Sequence, residues 1–112
     1  MLEENLSRED LLQVALGHET VSSVDINKII IPPAMEAGKH LHPCPVVGYI
    51  LSGKVLFQVE GQEKKTLNQG EAFYEPKNKT ILHFDNASQK EPLVFIAFYL
   101  KEGGEELIKM LD

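Results

Sequence analysis

The chain has 112 residues, enough for one compact domain, and its 43% hydrophobic and 25% charged residues are typical of a globular protein. The formal net charge of −6 argues against a nucleic-acid partner, because a negative surface repels phosphates. No run approaches the roughly 20 apolar residues that span a bilayer, so we expect no membrane insertion. The N-terminus lacks a secretory-signal pattern and the lone Cys44 cannot form an internal disulfide. Both observations favour a cytoplasmic location.

The N-terminal segment, residues 1–23, is expected to be either an arm or a short helix. Ser7 has the form of a helix N-cap with an acidic residue, Asp10, three positions later. Gly17 would end such a helix after its leucine-rich turns. The alternative is an irregular arm that its leucines hold against the domain.

The segment from 24 to 101 has the pattern of strands. Ile26 to Ile31 is rich in β-branched residues, and Val46 to Leu51 precedes a turn at Ser52-Gly53. Lys54 to Glu60 alternates between apolar and polar residues, so the two runs around this turn predict a hairpin. Further short strands are expected at 63–67, 72–75, 79–84 and 93–100. Such strands, separated by Gly and Pro, predict one all-β sandwich or barrel.

The C-terminal segment, residues 102–112, follows the break at Gly103-Gly104. Leu107, Ile108 and Leu111 fall at helical spacing. We therefore predict a short C-terminal helix packed on the outside of the barrel.

The motif His40-Leu41-His42 is the clearest candidate for chemistry. Residues two apart in a strand point to the same face, so both imidazoles can reach one ion about 2.0–2.1 Å from each ring nitrogen. Neutral imidazole suits zinc, iron, nickel, copper or manganese, so the pair predicts a divalent metal without choosing one. The alternative is two partly exposed histidines near a loop.

Two longer stretches resemble the sequence motifs of the cupin family. Gly38 to Gly53 reads GKHLHPCPVVGYILSG, with a glycine before His-x-His and a strand that ends in a glycine turn. Gly70 to Pro76 reads GEAFYEP and is followed by Asn86, like the second cupin motif. The resemblance spans roughly residues 26–100. It implies a cupin double-stranded β-helix, a jelly-roll β-barrel, with short helical segments at its ends.

The resemblance also implies a metal site, with departures. The family's two motif-one histidines correspond to His40 and His42, whereas its glutamate position falls on Val46 and its motif-two histidine position on Ile81. His83, two residues further on, is the available third histidine, if the loop from Lys77 to Thr80 shifts the register. We therefore predict a metal site of His40, His42 and His83, in which the missing carboxylate favours an anionic or chelating ligand.

Three further side chains lie near the motifs. Glu71 and Glu75 are close to the second motif; either could serve as a general base, and a solvated carboxylate at a strand end is the simpler interpretation. Cys44 is interpreted as an inert free thiol, and no catalytic residue is assigned.

The function predicted from these features is a small-molecule-binding cupin that holds a divalent metal. One alternative is a metal-dependent enzyme of oxygenase or isomerase type acting on a small polar substrate. The other is a metal-free sensory or structural domain. A homodimer is expected, both by resemblance and because the isoleucine-rich edge from Ile26 to Ile31 would be covered by pairing.

Overall fold

A computed structural model describes residues 5–112, which form nine β-strands and no α-helix. The strands are β1 Ser23–Ile31, β2 His40–Leu41, β3 Val46–Ser52, β4 Lys54–Val59, β5 Lys65–Asn68, β6 Ala72–Glu75, β7 Ile81–Asn86, β8 Leu93–Lys101 and β9 Lys109–Met110. Within this described part there is no helix of the length and apolar character needed to cross a membrane. The prediction of an all-β fold is confirmed.

The strands form two antiparallel sheets. The first has the order β1-β8-β3-β6 and the second the order β5-β4-β7-β2-β9. β3 and β4 lie in different sheets, so the hairpin predicted around Gly53 is wrong: this turn carries the chain from one sheet to the other. The position requires glycine, because its φ is +87° and a Cβ would lie 2.7 Å from the Pro92 carbonyl oxygen.

The core lies between the sheets and consists of inward-facing side chains from both. Its aromatic centre is formed by phenylalanines from four different strands, with ring centroids 5.1 Å apart for Phe73 and Phe84 and 4.7 Å apart for Phe84 and Phe95. The fully buried aliphatic residues around them include Val46, Ile50, Val55, Val59, Ile81 and Leu93. In β4 the buried side chains are those of Val55, Phe57 and Val59, which is the alternation that the sequence of this strand predicts.

Neither predicted terminal helix is observed. Residues 6–22 form an irregular arm, in which Leu11, Leu12 and Val14 lie across the outer face of the first sheet beside Val47 and Phe98. Of the two predictions for this segment, the irregular arm and not the short helix agrees with the structure. Leu11 and Leu12 remain 45% and 42% exposed, so packing on the sheet adds little to the stability of a helix this short, and short isolated helices are marginal.

The C-terminal segment is extended. Its strand β9 pairs with β2, and the Leu111 amide donates to the Lys39 carbonyl oxygen at 3.0 Å. A segment this short gains little from helix formation, whereas the free edge of β2 offers backbone partners. The predicted C-terminal helix is therefore replaced by an edge strand.

Candidate metal centre

His40 and His42 lie together inside the barrel, as the sequence predicts. β2 is held between β7 and β9, where His40 is opposite Ile81 on one side and Met110 on the other. Both histidines are 4% exposed, and their ring centroids are 5.0 Å apart. The alternative of two partly exposed loop histidines is thus wrong.

The backbone fixes the orientation of both imidazole rings. Nδ1 of His40 donates to the Gly38 carbonyl oxygen at 2.7 Å, and Nδ1 of His42 donates to the Leu107 carbonyl oxygen at 2.6 Å. A carbonyl oxygen can only accept, so Nδ1 carries the proton and Nε2 keeps its lone pair. Metal-ligating histidines in proteins are commonly held in this way.

Glu75, the last residue of β6, completes the cluster. Its side chain is 3% exposed, and its Oε2 lies 3.4 Å from Nε2 of His42 and 3.6 Å from Nε2 of His40. Among the residues that the structure describes, Oε2 has no hydrogen-bond partner. Three lone-pair-bearing atoms therefore converge in the interior of the protein.

This convergence fits a metal ion. Donor atoms bound about 2.0–2.2 Å from one ion lie about 3.0–3.5 Å apart, close to the two distances to Glu75. Within residues 5–112, His40, His42 and Glu75 are the only group of three or more potential ligands close enough to share an ion. The three residues are positioned to bind a metal, and a cation between them would supply the partner that Oε2 lacks.

The electrostatics keep the carboxylate in its ligand form. Burial by itself would raise the pKa of Glu75, but the two facing imidazoles lower it below its ordinary value. Burial would likewise lower the pKa of His42, but the Glu75 carboxylate and the Leu107 carbonyl together raise it. A proton on His42 is therefore the natural competitor of a metal ion at this site.

The carboxylate comes from a strand next to the one on which the family motif places it. Val46 occupies the motif's glutamate position, and Glu75 is its direct antiparallel partner in the pairing of β3 with β6. Side chains at such paired positions project to the same face with Cβ atoms about 4.5–5.5 Å apart. Glu75 thus projects from the same side of the same sheet, one strand further along.

The interpretation of Glu75 as a solvated strand-end carboxylate is wrong, because the side chain is buried. The sequence contained a signal that could have corrected it. Phe73 and Glu75 are two residues apart on one strand, so a core position for Phe73 implies an inward Glu75.

His83 is not brought into this cluster. It lies on β7 with 34% of its side chain exposed, and its Nδ1 is 2.8 Å from Oδ2 of Asp85. A register shift between β4 and β7 pairs Val59 with Ile81 but Gln58 with His83, which leaves one extra residue on β7. This irregularity reverses the alternation, so Ile81 faces the core while His83 faces outward. Residues two apart in a regular strand share a face, but Ile81 and His83 do not.

A cavity of about 370 Å³ adjoins the three clustered residues. His40, His42, Glu75 and the ring of Tyr99 form its polar part, and the rest of its wall is apolar. The size lies near the lower end of the range for small-molecule sites, about 300–1,000 Å³. The potential metal ligands therefore face a space in which a small molecule can bind.

Comparison with protein families gives one decisive match, in which the family model described as the cupin domain matches residues 27–99. The chain belongs to the cupin family. Among curated proteins, no sequence matches this cupin. The predicted family and barrel fold are confirmed.

Solved structures similar to this cupin include enzymes. The lyase DddQ from Ruegeria pomeroyi, described as a DMSP lyase, has a TM-score of 0.68 and 18% identity over 79% of this chain and 43% of its own. A cupin-like protein from Thermotoga maritima has a TM-score of 0.63 and 22% identity, over 79% of this chain and 64% of its own. A Bacillus subtilis oxalate decarboxylase, described with Mn(II) centres, has a TM-score of 0.66 and 22% identity, over 79% and 24%. This cupin therefore spans less than two thirds of the length of each, and the likeness shows the fold alone.

Proposed function

We propose that this cupin binds a divalent metal ion through Nε2 of His40, Nε2 of His42 and the carboxylate of Glu75, and that the ion holds a small molecule in the adjoining cavity. The observation that carries the proposal is the buried Glu75 Oε2, which lies 3.4 and 3.6 Å from two imidazole nitrogens whose other nitrogens already donate to the backbone. Without a cation, three acceptors would face one another in the protein interior, which is costly.

Two neutral imidazoles and one carboxylate suit several metals. Iron and manganese accept this mixture of nitrogen and oxygen readily, and the Mn(II) centres described for the oxalate decarboxylase support manganese as one choice. Zinc, nickel and copper also bind imidazole. When bound, the ion would supply Lewis-acid chemistry, and His40, His42 and Glu75, which line the cavity, would hold it there.

The test is metal binding by the untagged protein and by single variants. Apo protein incubated with Mn, Fe, Co, Ni, Zn or Cu and then desalted is analysed for metal content. We expect close to one equivalent of at least one metal in the wild type, and at least tenfold weaker binding in His40→Ala, His42→Ala and Glu75→Gln. A wild type that stays metal-free with all six metals would refute the proposal and favour the metal-free domain.

His83→Ala is the matched control, because the sequence prediction that His83 is a ligand stays open to experiment. The proposed ligand set requires this variant to keep its full metal content. If His83→Ala loses the metal while Glu75→Gln keeps it, the set of three histidines is the correct one.

An enzyme is the second candidate function. Two histidines and one carboxylate on one side of an ion leave open positions, as in non-haem iron oxygenases. Oxygen consumption by the iron-loaded protein with small organic acids and diols tests this candidate. Uptake that Glu75→Gln abolishes would support it, whereas metal binding without turnover of any tested compound would favour a binding protein.

We also propose that the strand β1 pairs with a second copy of the chain. β1 lies at the end of its sheet, and Val24, Ile26 and Ile30 are 50%, 60% and 60% exposed. A nine-residue edge strand with exposed apolar side chains is a site for strand pairing. Light scattering should give a dimer mass for the wild type and a monomer mass for Ile26→Lys; a monomeric wild type would refute the pairing.

A further inference from the structure

We infer that the ligand of the metal centre is a small monoanion that combines a metal-chelating head with an apolar body. The inference rests on the proposed function, because the ion supplies the charge that binds the head. Three features of the cavity carry it: its charge, its apolar wall and its remaining polar group.

The charge of the loaded site follows from its residues. Both imidazoles are neutral ligands because each Nδ1 already donates to a backbone carbonyl, and a ligating carboxylate such as Glu75 is deprotonated and contributes one negative charge. A divalent ion held by these three residues leaves a net charge of +1 in a buried place. No Lys or Arg is found among the described residues that line the cavity. One negative charge on the ligand is therefore neutralised, whereas a second would be buried without a partner.

The rest of the cavity lining, apart from His40, His42, Glu75 and Tyr99, forms an apolar wall. It is formed by Ile29 and Ile31 of β1, Phe84 and Phe95 of the core, and Ala97 of β8, among others. Such a wall binds hydrocarbon, at about 0.8 kcal/mol per buried CH₂ group, which corresponds to about fourfold in affinity. A ligand whose head binds the ion therefore places an apolar body against this wall.

The polar group left for the ligand head is Tyr99. Its ring lies 5.7 Å from that of His42, and Tyr99 lines the cavity. A phenol can donate or accept a hydrogen bond, so Tyr99 offers the ligand head a polar partner without the charge of a Lys or Arg.

The test uses three 2-oxo acids with the same chelating head. Binding to the Co(II)-loaded protein is followed by calorimetry and by the change in the visible spectrum of cobalt. 2-Oxopropanoate and 2-oxohexanoate differ by three methylene groups, so we expect the longer acid to bind up to about 60-fold more tightly. 2-Oxoglutarate places a second carboxylate against the apolar wall and should bind at least tenfold more weakly than 2-oxohexanoate.

Met35→Lys supplies the matched variant. Met35 lines the cavity with 53% of its surface exposed, so a lysine there adds a cation at the rim without burial. We expect this variant to keep its cobalt content and to gain at least fivefold more affinity for 2-oxoglutarate than for 2-oxopropanoate, because only the former carries a second carboxylate that the lysine can pair. If Met35→Lys has the same ratio of affinities for 2-oxoglutarate and 2-oxopropanoate as the wild type, the placement of the ligand body in this cavity is wrong.

The outcomes separate the two proposals. If cobalt binds but 2-oxoglutarate binds as tightly as 2-oxohexanoate, or no acid changes the cobalt spectrum, the ligand class is wrong and the metal centre stands. If cobalt does not bind, the proposed metal site is wrong, and the proposed ligand class, which depends on it, is wrong as well.

Discussion

Replacing Glu75 by glutamine should separate the stability of the metal-free protein from its stabilisation by metal. In the metal-free wild type the buried Oε2 has no hydrogen-bond partner among residues 5–112. The amide of the Glu75→Gln variant would keep the shape but carry two donors, one of which can reach the lone pair on Nε2 of His42. At pH 8.5 we expect the free energy of unfolding of the metal-free variant to be equal to that of the wild type or about 0.5–1.5 kcal/mol higher.

The metal should reverse this order. A metal present at 100 times its Kd stabilises the native state by about 2.7 kcal/mol. For a domain of 112 residues, 1 kcal/mol corresponds to roughly 4 °C, so the wild type should gain roughly 11 °C in Tm. The Glu75→Gln variant lacks the carboxylate, and we expect it to gain less than about 3 °C at the same metal concentration.

Thermal unfolding followed by circular dichroism measures the stability of the metal-free protein when chelator is present. The same measurement with added Zn(II), Mn(II) or Co(II) gives the increase in Tm that the metal causes. Glu63→Gln is the control, because Glu63 is an exposed glutamate remote from the cavity lining. It should behave as the wild type in every condition. If Glu75→Gln gains as much in Tm as the wild type on metal addition, Glu75 is not a metal ligand. A loss of more than about 2 kcal/mol without metal at pH 8.5 would also refute the reasoning, since it would mean that the carboxylate is paired even at a pH at which histidine is ordinarily neutral.

Three further changes test the fold and the charges of the site. Gly48→Ala should lower stability by about 1–3 kcal/mol in urea unfolding, because its Cβ would lie 2.1 Å from the ring of Phe73; unchanged stability would contradict this packing. Asn86→Asp should cost about 3 kcal/mol at pH 7 and less at pH 4, because the Asn86 amide donates to three backbone carbonyls that a carboxylate would repel. In metal-free protein, the raised pKa of His42 contributes stability that is complete below pH 6.5 and is lost as the pH rises through the pKa of His42 in the folded protein. The lowered pKa of Glu75 contributes stability that is complete above pH 4.5 and is lost as the pH falls through the pKa of Glu75 in the folded protein. Chemical unfolding across pH should therefore show a maximum from this pair between about 4.5 and 6.5, and a flat profile would contradict the pairing.

The strands could be predicted from the sequence, but not their arrangement. Alternation and turn residues predict every strand from β3 to β8 to within about two residues. The same signals cannot tell a hairpin from a turn between sheets, and the turn at Gly53 is of the second kind. The C-terminal strand could not be predicted, because it depends on the free edge of β2, which exists only in the folded barrel.

The site could be predicted in part for a related reason. His40 and His42 are neighbours along one strand, so strand periodicity suffices to place them together. The family's pattern directs attention to Val46 and Ile81 and away from Glu75, whose role depends on the pairing of β3 with β6. The predicted register of His83 differs from the observed one because one extra residue in β7 reverses the alternation, and single-residue irregularities leave no clear mark in a sequence.

The hydrogen bond from His42 to the Leu107 carbonyl couples the metal centre to the last residues of the chain. Because such coupling is reciprocal, an ion that favours this orientation of His42 also holds the segment that provides the carbonyl. Digestion from the C-terminus by a carboxypeptidase should therefore slow or stop before Leu107 when metal is present. Once that residue is removed, the imidazole loses its fixed tautomer, and the ion is released more easily. A bound cation would therefore be retained more firmly while the segment around Leu107 is intact.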